Sequence, residues 1–184
     1  MIQQHLGDRE LLEQFKDPLT KERGFTAIIK KYQEKLYWHI RRMVVEHEDA
    51  NDVLQNMFIK VWNGLNNFRE DSQLFTWMYR IATNESLTFL QQQKKRTSIS
   101  FSNDENGLSN SLKADKNFDG NKAEWKLQLA MQQLPDKQRA VFNLRYYDEM
   151  PYEEMSRVLD TSEGALKASY HHAVKKIEDY LLNH

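Results

Sequence analysis

The sequence of 184 residues contains no cysteine, only three prolines and only six glycines. Without cysteine, disulfides, thiol nucleophiles and cysteine-ligated metal sites are excluded. The scarcity of helix breakers, together with long runs of helix-forming residues, favours an all-α fold. No apolar run is long enough to span a membrane, and the first residues lack the apolar core of a signal peptide. We therefore expect a cytoplasmic protein with no direct membrane insertion.

Excess charge of one sign is also missing, because the formal net charge is −1. Total charge therefore does not indicate a nucleic-acid partner, and any such prediction depends on single helix faces. The HExxH, GxSxG and glycine-rich phosphate-loop motifs of common enzymes are absent from the sequence. We predict no catalytic residue, no cofactor, no metal site and no small-molecule substrate.

Helical periodicity divides the chain into two parts. Apolar residues recur at spacings of three and four in residues 10–16, 25–45, 49–64 and about 72–93, which predicts a four-helix N-terminal domain over residues 1–94. Residues 95–121 are rich in Ser, Asn, Asp and Gly and read as a flexible linker. The helical pattern resumes in residues 122–184, which predicts a second four-helix domain.

Residues 151–177 have the proportions of a helix-turn-helix, with a turn at Asp160-Thr161-Ser162. The apolar spacing of the second helix leaves one polar face, which could donate to DNA phosphates and base edges. This face consists of Lys167, Ala168, His171, His172 and Lys175. The alternative is a helical hairpin whose polar face is only solvated. His171 and His172 point about 100° apart on a helix, so they do not form a metal-binding pair.

The polar side of the helix over residues 49–64 is unusual because it carries exposed apolar residues. It presents Asp52, Gln55, Asn56 and Ile59, with Trp62 at its edge. An apolar spot with an acidic and amide rim suits a protein partner, especially one that carries arginine. The alternative is that the first helix of the chain covers both Ile59 and Trp62.

The polar side of the next helix, residues 73–93, combines cations with an indole. Arginine and lysine can hold phosphates, asparagine can read base edges, and a tryptophan stacked on an unpaired base contributes about 1–3 kcal/mol. This side therefore suits single-stranded or opening DNA. The alternative is that Trp77 lies in the core and that the cations form a solvated helix end. The side comprises Thr76, Trp77, Arg80, Thr83, Asn84, Leu87 and Gln91, followed by Lys94, Lys95 and Arg96.

Several blocks of the sequence together resemble a bacterial sigma factor of the extracytoplasmic-function group, the smallest members of the sigma-70 family. In the N-terminal half these blocks are Asp49-Ala50-x-Asp52-Val53-x-Gln55, Phe58-x-Lys60-Val61-Trp62 and Phe75-Thr76-Trp77-Met78-Tyr79-Arg80-Ile81-Ala82-x-Asn84. In the C-terminal half they are Leu134-Pro135-Asp136-Lys137-Gln138-Arg139-x-Val141-Phe142, Tyr152-Glu153-Glu154-Met155 and Glu163-Gly164-x-Leu166-Lys167. The blocks follow one another in the family's order and cover nearly all of residues 25–178.

The resemblance implies a transcription initiation factor that is not an enzyme. Its N-terminal domain would bind the clamp helices of RNA polymerase through Asp49, Asp52, Gln55, Asn56 and Ile59. It would recognise and melt the minus-ten promoter element through Arg69, Thr76, Trp77, Arg80, Asn84, Gln91, Lys94 and Lys95. Its C-terminal domain would bind the minus-thirty-five element as duplex through Lys167, Ala168, His171, His172 and Lys175, and would dock on the polymerase flap.

The resemblance also implies that the linker threads along the main channel of the polymerase. It further implies a membrane-linked anti-sigma factor that holds the protein inactive. At Asp160 the family often has glycine, and aspartate tolerates left-handed backbone geometry better than most residues.

One different class of protein also fits the residues. A helix-turn-helix regulator with a helical sensor domain would bind duplex DNA without polymerase, usually as a dimer. The face around Asp52 distinguishes the two classes, because only a polymerase-binding factor needs it.

Overall fold

The computed structural model describes residues 7–99 and 122–184, which form two packed groups of α-helices. The N-terminal group consists of α1 (Asp8–Lys16), α2 (Lys21–Val44), α3 (His47–Gly64) and α4 (Leu74–Ile99). The C-terminal group consists of α5 (Lys122–Gln132), α6 (Asp136–Phe142), α7 (Tyr152–Leu159) and α8 (Glu163–Asn183). Within these described ranges there is no β-strand, so the prediction of an all-α fold is confirmed.

Helix α4 continues to Ile99, beyond the end predicted near residue 93. Lys94, Lys95 and Arg96 are good helix formers, and cations in the last turns interact favourably with the helix dipole. The Lys94 ammonium also lies 2.7 Å from the Asp136 carboxylate, which ties this part of α4 to the C-terminal group. Residues 95–99 of the predicted linker are therefore helical, and residues 100–121 lie outside the described part of the chain.

The long helix α2 is the centre of the N-terminal group. Its inward side chains, including Ile28, Leu36 and Ile40, are fully buried among apolar side chains of α1, α3 and α4. Burial of each such side chain contributes about 1.5–3 kcal/mol. The apolar spacing of three and four that predicted these helices thus corresponds to their common core.

The turn of the helix-turn-helix has the geometry that its residues favour. Asp160 ends α7 in the left-handed region, at φ 49° and ψ 48°, as expected for one of the few residues that tolerate this conformation. Ser162 then caps α8, because its hydroxyl accepts a hydrogen bond of 3.3 Å from the Ala165 amide. This short turn fixes α8 relative to α7.

Arg139 joins the two groups by binding the C-terminal ends of two helices. The last carbonyls of a helix have no partner within it, so they need outside donors. Arg139 donates to Met43 O at the end of α2 (2.9 Å), and to Met131 O (3.2 Å) and Gln132 O (3.1 Å) at the end of α5. Its side chain is almost fully buried, and burial lowers the pKa of its guanidinium. A single cation therefore neutralises two helix ends at once.

A buried polar cluster lies beside Arg139 in the same contact between the two groups. His39 Nδ1 on α2 lies 2.7 Å from Asp148 Oδ2, and His39 Nε2 lies 2.9 Å from the Thr83 hydroxyl on α4. The Tyr79 hydroxyl donates to the other oxygen of Asp148 at 3.2 Å. Burial and the charge of Asp148 raise the pKa of Tyr79, which keeps it a hydrogen-bond donor. Asn143 donates to the carbonyl of His39 at 2.8 Å.

Two glycines in helices provide a matched pair for testing the packing of α1 on α2. A Cβ at Gly24 would lie 2.8 Å from the Phe15 amide nitrogen, whereas a Cβ at Gly164 would meet no atom within 4 Å. We expect Gly24→Ala to lower the free energy of unfolding by about 1–2 kcal/mol, because overpacking against backbone outweighs the helix propensity of alanine. Gly164→Ala should leave it unchanged or raise it by up to about 1 kcal/mol. Urea denaturation followed by circular dichroism measures both, and equal stabilities would contradict the close approach of the two helices.

Candidate functional site

The outer face of α3 presents an apolar side chain surrounded by polar ones. Ile59 is 59 % exposed, and Asp52, Gln55 and Asn56 are exposed on the same side of the helix. Asp49 lies half-buried at the start of this face, and burial, followed by the nearby charge of Asp52, raises the pKa of its carboxyl. The face therefore combines carboxylate and amide groups with an apolar centre, as the sequence predicted.

Trp62, which the sequence placed at the edge of this face, is half-buried and packs against aromatic residues of α1 and α2. Its ring centroid lies 5.3 Å from that of Phe15 and 4.9 Å from that of Phe25, both in edge-to-face geometry. The Lys21 ammonium lies 4.9 Å from the Trp62 ring. Helix α1 thus covers part of Trp62, as the second interpretation of the sequence predicted. It leaves Ile59 exposed, as the first interpretation predicted.

A polar stripe runs along the outer side of α4. Arg80, Asn84, Gln91 and Lys95 are exposed and follow one another at spacings close to whole helical turns. From Arg80 to Lys95 the stripe extends about 22 Å at 1.5 Å per residue. Arg69, in the loop before α4, is also exposed. This length of polar helix surface can contact several consecutive phosphates or bases.

Trp77 lies half-buried at the start of the stripe, between the helix and the loop that precedes it. Its ring centroid is 5.1 Å from that of Phe68 in this loop. A Cβ at Gly64 would lie 3.0 Å from Cζ2 of the indole. Gly64 is the last residue of α3 and has a φ of −89°, so its lack of a side chain leaves room for the indole and is not needed for a left-handed turn. The Trp77 indole therefore packs against Phe68 and Gly64 and stays partly exposed.

Two threonines of α4 do not lie on the outer side that the sequence predicted for them. Thr76 is 2 % exposed and Thr83 is fully buried. The Thr76 hydroxyl donates to the Glu154 carboxylate on α7, and the Thr83 hydroxyl is bound to His39. Helical periodicity within α4 could not show this, because the residues that cover both threonines come from distant parts of the sequence.

The polar face of α8 is open along its length. Its five predicted DNA contacts are exposed: Lys167, Ala168, His171, His172 and Lys175. At the start of the helix, Gly164 has free space around it, so another molecule can approach the backbone closely. The rings of His171 and His172 are 6.1 Å apart. No group of residues suited to a metal ion occurs in the described ranges, and none of the helices described there has the length and apolar character needed to cross a membrane.

The sequence did not identify the buried polar residues between the two groups, namely His39, Asn143 and Asp148. One signal was available for His39, which lies within the apolar stripe of α2 between Leu36 and Met43. A fully buried histidine needs hydrogen-bond partners, so its position indicated a polar contact with another element. For Asn143 and Asp148, the sequence offered no comparable signal.

The helix-turn-helix with an open polar face and the unpartnered face of α3 define a two-domain, all-α DNA-binding protein. Comparison with known proteins specifies the class further. Residues 28–96 match the model of "Sigma-70 region 2" and residues 124–177 match that of "Sigma-70, region 4". The chain belongs to the sigma-70 family and to its extracytoplasmic-function group. The protein is a sigma factor, which binds core RNA polymerase and directs promoter-specific transcription initiation.

Curated relatives match the chain over almost its whole length. It is 29 % identical over 168 residues to the RNA polymerase sigma-H factor of Pseudomonas aeruginosa, covering 87 % of each chain. It is 28 % identical over 188 residues to the ECF RNA polymerase sigma-E factor of Escherichia coli K12, covering 97 % of this chain and 96 % of the relative. These matches favour a sigma factor over the alternative of a polymerase-independent regulator.

Solved structures share the fold at low sequence identity. CnrH in complex with the cytosolic domain of CnrY superposes with a TM-score of 0.67 at 20 % identity, covering 95 % of this chain and 96 % of that chain. The sigma factor RpoE of Bartonella quintana, in complex with the anti-sigma factor NepR, gives a TM-score of 0.68 at 17 % identity, covering 85 % and 96 %. Both likenesses confirm the all-α, two-domain fold.

The contact between Gly64 and Trp77 can be tested in solution. We expect Gly64→Ala to displace the indole by a few tenths of an ångström, because the new methyl group would press on Cζ2 and Cη2 of the ring. In a two-dimensional ¹H–¹⁵N spectrum, the indole N–H signal of Trp77, assigned with Trp77→Phe, should shift while that of Trp125 stays in place. Gly164→Ala is the control, and an unmoved Trp77 signal in Gly64→Ala would contradict the contact.

Proposed function

We propose that three helices of this sigma factor each bind a different partner. Helix α3 binds the clamp helices of RNA polymerase, α4 captures the opened minus-ten element, and α8 reads the minus-thirty-five element as duplex. The observation that carries the proposal is the exposure of Ile59 at the centre of an acidic and amide face. In the described parts of the chain, no side chain covers this face. The protein acts by binding and not as an enzyme, and it needs no cofactor.

The α3 face suits an arginine-bearing partner helix for two physical reasons. The apolar centre can be desolvated at low cost, and the carboxylates of Asp49 and Asp52 can form charge-assisted hydrogen bonds with guanidinium groups. Polar rims around an apolar centre are typical of protein interfaces. We assign polymerase binding to Asp49, Asp52, Gln55, Asn56 and Ile59.

The stripe on α4 suits a single DNA strand. Stacking of an unpaired base on Trp77 and its capture near the loop that contains Arg69 would offset the unpairing cost of a few kcal/mol. The cations and amides further along α4 would hold the phosphates and base edges that follow. We assign the minus-ten element to Arg69, Thr76, Trp77, Arg80, Asn84, Gln91, Lys94 and Lys95.

The face of α8 suits the major groove of a duplex. Its open N-terminus can approach the bases, and Lys167 and Lys175 carry charges that bind phosphates. We assign the minus-thirty-five element to Lys167, Ala168, His171, His172 and Lys175. The C-terminal domain, residues 122–184, would also dock on the polymerase flap. Residues 95–121 would connect it to the N-terminal domain, residues 1–94, through the main channel.

We also propose an anti-sigma factor as a partner and the cytoplasm as the location. CnrH and RpoE share this fold, and each was solved in complex with a second protein. The protein bound to RpoE is the anti-sigma factor NepR. Both proposals also agree with the family of this chain. Binding of the chain to a cytosolic anti-sigma domain would test them.

The role of the α3 face is tested with charge reversal. We expect Asp52→Arg to weaken binding to core polymerase by at least about a hundredfold, since apposed like charges cost several kcal/mol. Promoter-directed transcription in a reconstituted reaction should fall in parallel. Glu34→Arg on α2 makes the same charge change at another exposed site and should have little effect. If the wild-type chain neither binds core polymerase nor directs initiation, the proposed function is wrong.

The role of α8 is tested through salt dependence. Lys167→Ala should weaken holoenzyme binding to duplex minus-thirty-five DNA and reduce the slope of log K against log salt by about one. The matched control is Lys176→Ala, because the Lys176 ammonium donates to Gln138 within the protein at 3.0 Å. Filter binding over a range of salt concentrations gives both slopes. An unchanged slope in Lys167→Ala would show that this lysine does not contact a phosphate.

A further inference from the structure

The loop between α3 and α4 is attached to the rest of the domain on both sides of Arg69. Before Arg69, the Phe68 ring packs on the Trp77 indole, and the two ring centroids are 5.1 Å apart. After Arg69, the Glu70 carboxylate accepts a hydrogen bond of 3.2 Å from the Lys16 ammonium. Lys16 is the last residue of α1. The exposed Arg69 side chain therefore starts from a backbone that is anchored at both neighbouring residues.

Glu70 has a backbone conformation that residues with a side chain rarely adopt. Its φ is 59°, in the left-handed region, where the Cβ of any residue other than glycine is crowded by the backbone. Asparagine and aspartate offset part of this cost with short local hydrogen bonds. The Glu70 carboxylate instead binds Lys16, 54 residues away in the sequence. A residue in such a conformation needs contacts around it that fix it.

Few polar contacts other than this ion pair hold the loop. In residues 7–99 and 122–184, the pair with Lys16 is the only hydrogen bond or salt bridge that residues 69–72 form. Without the Lys16 ammonium, only water would bind the polar groups of the left-handed turn. The ion pair is therefore the contact that favours this turn over other conformations of the loop.

The Lys16 end of the pair is fixed by the packing of α1. Its neighbour Phe15 is buried, and the Phe15 ring lies 5.3 Å from the Trp62 ring on α3. The Thr20 hydroxyl donates to Gln14 O at 2.8 Å, which satisfies one of the last carbonyls of α1. The backbone at Lys16 is thus held in place, and its side chain connects the loop to this fixed helix end.

The ion pair also changes the charge that a DNA strand meets at the loop. Glu70 directly follows Arg69, so an unpaired Glu70 carboxylate would repel the phosphates that Arg69 is proposed to bind. It could also pair with the Arg69 guanidinium and compete with those phosphates. The Lys16 ammonium neutralises the carboxylate and holds it at α1. Arg69 is then left with an exposed side chain that can bind the strand.

Given the proposed assignment of Arg69 to the minus-ten element, on which this inference rests, we infer that Lys16 is a positioning residue for strand capture. Its ammonium holds Glu70 in the left-handed turn, and the turn fixes Arg69 next to the contact between Phe68 and Trp77. The loop is then ordered before DNA arrives, so binding of the strand does not include the entropy cost of ordering it. Lys16 itself does not contact the DNA.

The first test removes the ammonium in the full chain. In a holoenzyme reconstituted with core polymerase, we expect Lys16→Met to lower the equilibrium constant for promoter opening about two- to fivefold, the effect of losing a partly exposed ion pair. The fluorescence of 2-aminopurine in the minus-ten element of a promoter that the wild type transcribes measures opening. Binding to core polymerase and to duplex minus-thirty-five DNA should not change.

Arg9→Met is the matched control for Lys16→Met. It also removes one cation from α1, but the partner of Arg9 is Glu13 on the same helix, at 3.4 Å. We expect Arg9→Met to open the promoter like the wild type. This result would exclude a general effect of the net charge of α1.

A second pair of variants separates positioning from a direct contact of Lys16 with DNA. Glycine adopts the left-handed region without steric cost, so Glu70→Gly should open the promoter at least as well as wild type. In that background, Lys16→Met should have no further effect, because there is no carboxylate left to hold. The charge swap of Lys16→Glu with Glu70→Lys should recover most of the opening that Lys16→Glu alone loses.

The order of the loop can be measured without DNA. In the free chain, the ¹H–¹⁵N heteronuclear NOE of the Glu70 and Asp71 amides should fall in Lys16→Met and stay at the wild-type value in Arg9→Met. An unchanged NOE or unchanged promoter opening in Lys16→Met would overturn the inference. An equal loss of opening from Lys16→Met with and without Glu70→Gly would also overturn it, because Lys16 would then act on DNA directly.

Failure of the proposed function would give a different result. A wild-type chain that neither binds core polymerase nor directs initiation would overturn the proposed function. The NOE of the Glu70 amide in the free chain would still report whether Lys16 orders the loop.

Discussion

The structure of this sigma factor depends on how its helix ends are satisfied, and Arg139 meets that constraint for two helices at once. The terminal carbonyls of α2 and α5 point at one buried guanidinium, which belongs to neither helix. Because an unpaired buried carbonyl costs free energy comparable to a lost hydrogen bond, the ends of α2 and α5 stay together. The N-terminal and C-terminal domains are thus joined through backbone groups as well as through apolar side chains. Gln132 adds a second donor to the same helix end, at Arg42 O.

That junction has consequences for function because it brings α7 onto α4. Three properties of α4 coincide there: a buried side that packs on α2, a polar stripe suited to DNA, and a region covered by the C-terminal domain. Thr76 belongs to the last two, since it is assigned to DNA and bound to Glu154. By contrast, the α3 face around Ile59 and the polar face of α8 are exposed in the same structure. The surfaces that we assign to polymerase and to duplex DNA are therefore open while the two groups of helices are packed together.

The candidate surfaces differ in how far local sequence could predict them. Helical periodicity correctly predicted that Asp52, Gln55, Asn56 and Ile59 are exposed. The spacing of the apolar residues within α3 is enough to show which side of this helix faces the core. Periodicity also gave the open face of α8. It placed Trp62 at the edge of the face, where it is half-buried, but could not show that its ring packs on Phe15 and Phe25. An aromatic side chain is long enough to reach a neighbouring helix from the border of a polar face, and the sequence does not contain the position of that neighbour.

By itself, the sequence determined the number and order of the helices in the two described groups, the helix-turn-helix with Asp160 in its turn, and the residue types that make α3 suited to protein and α4 to DNA. These features depend on interactions between residues a few positions apart, which periodicity and capping preferences report. Only the tertiary structure decided that His39 meets Asp148, that Glu154 meets Thr76, and that Arg139 binds the ends of two helices. The partners in these contacts are 78 to 109 residues apart, and no local pattern reports which distant groups will satisfy a buried polar atom.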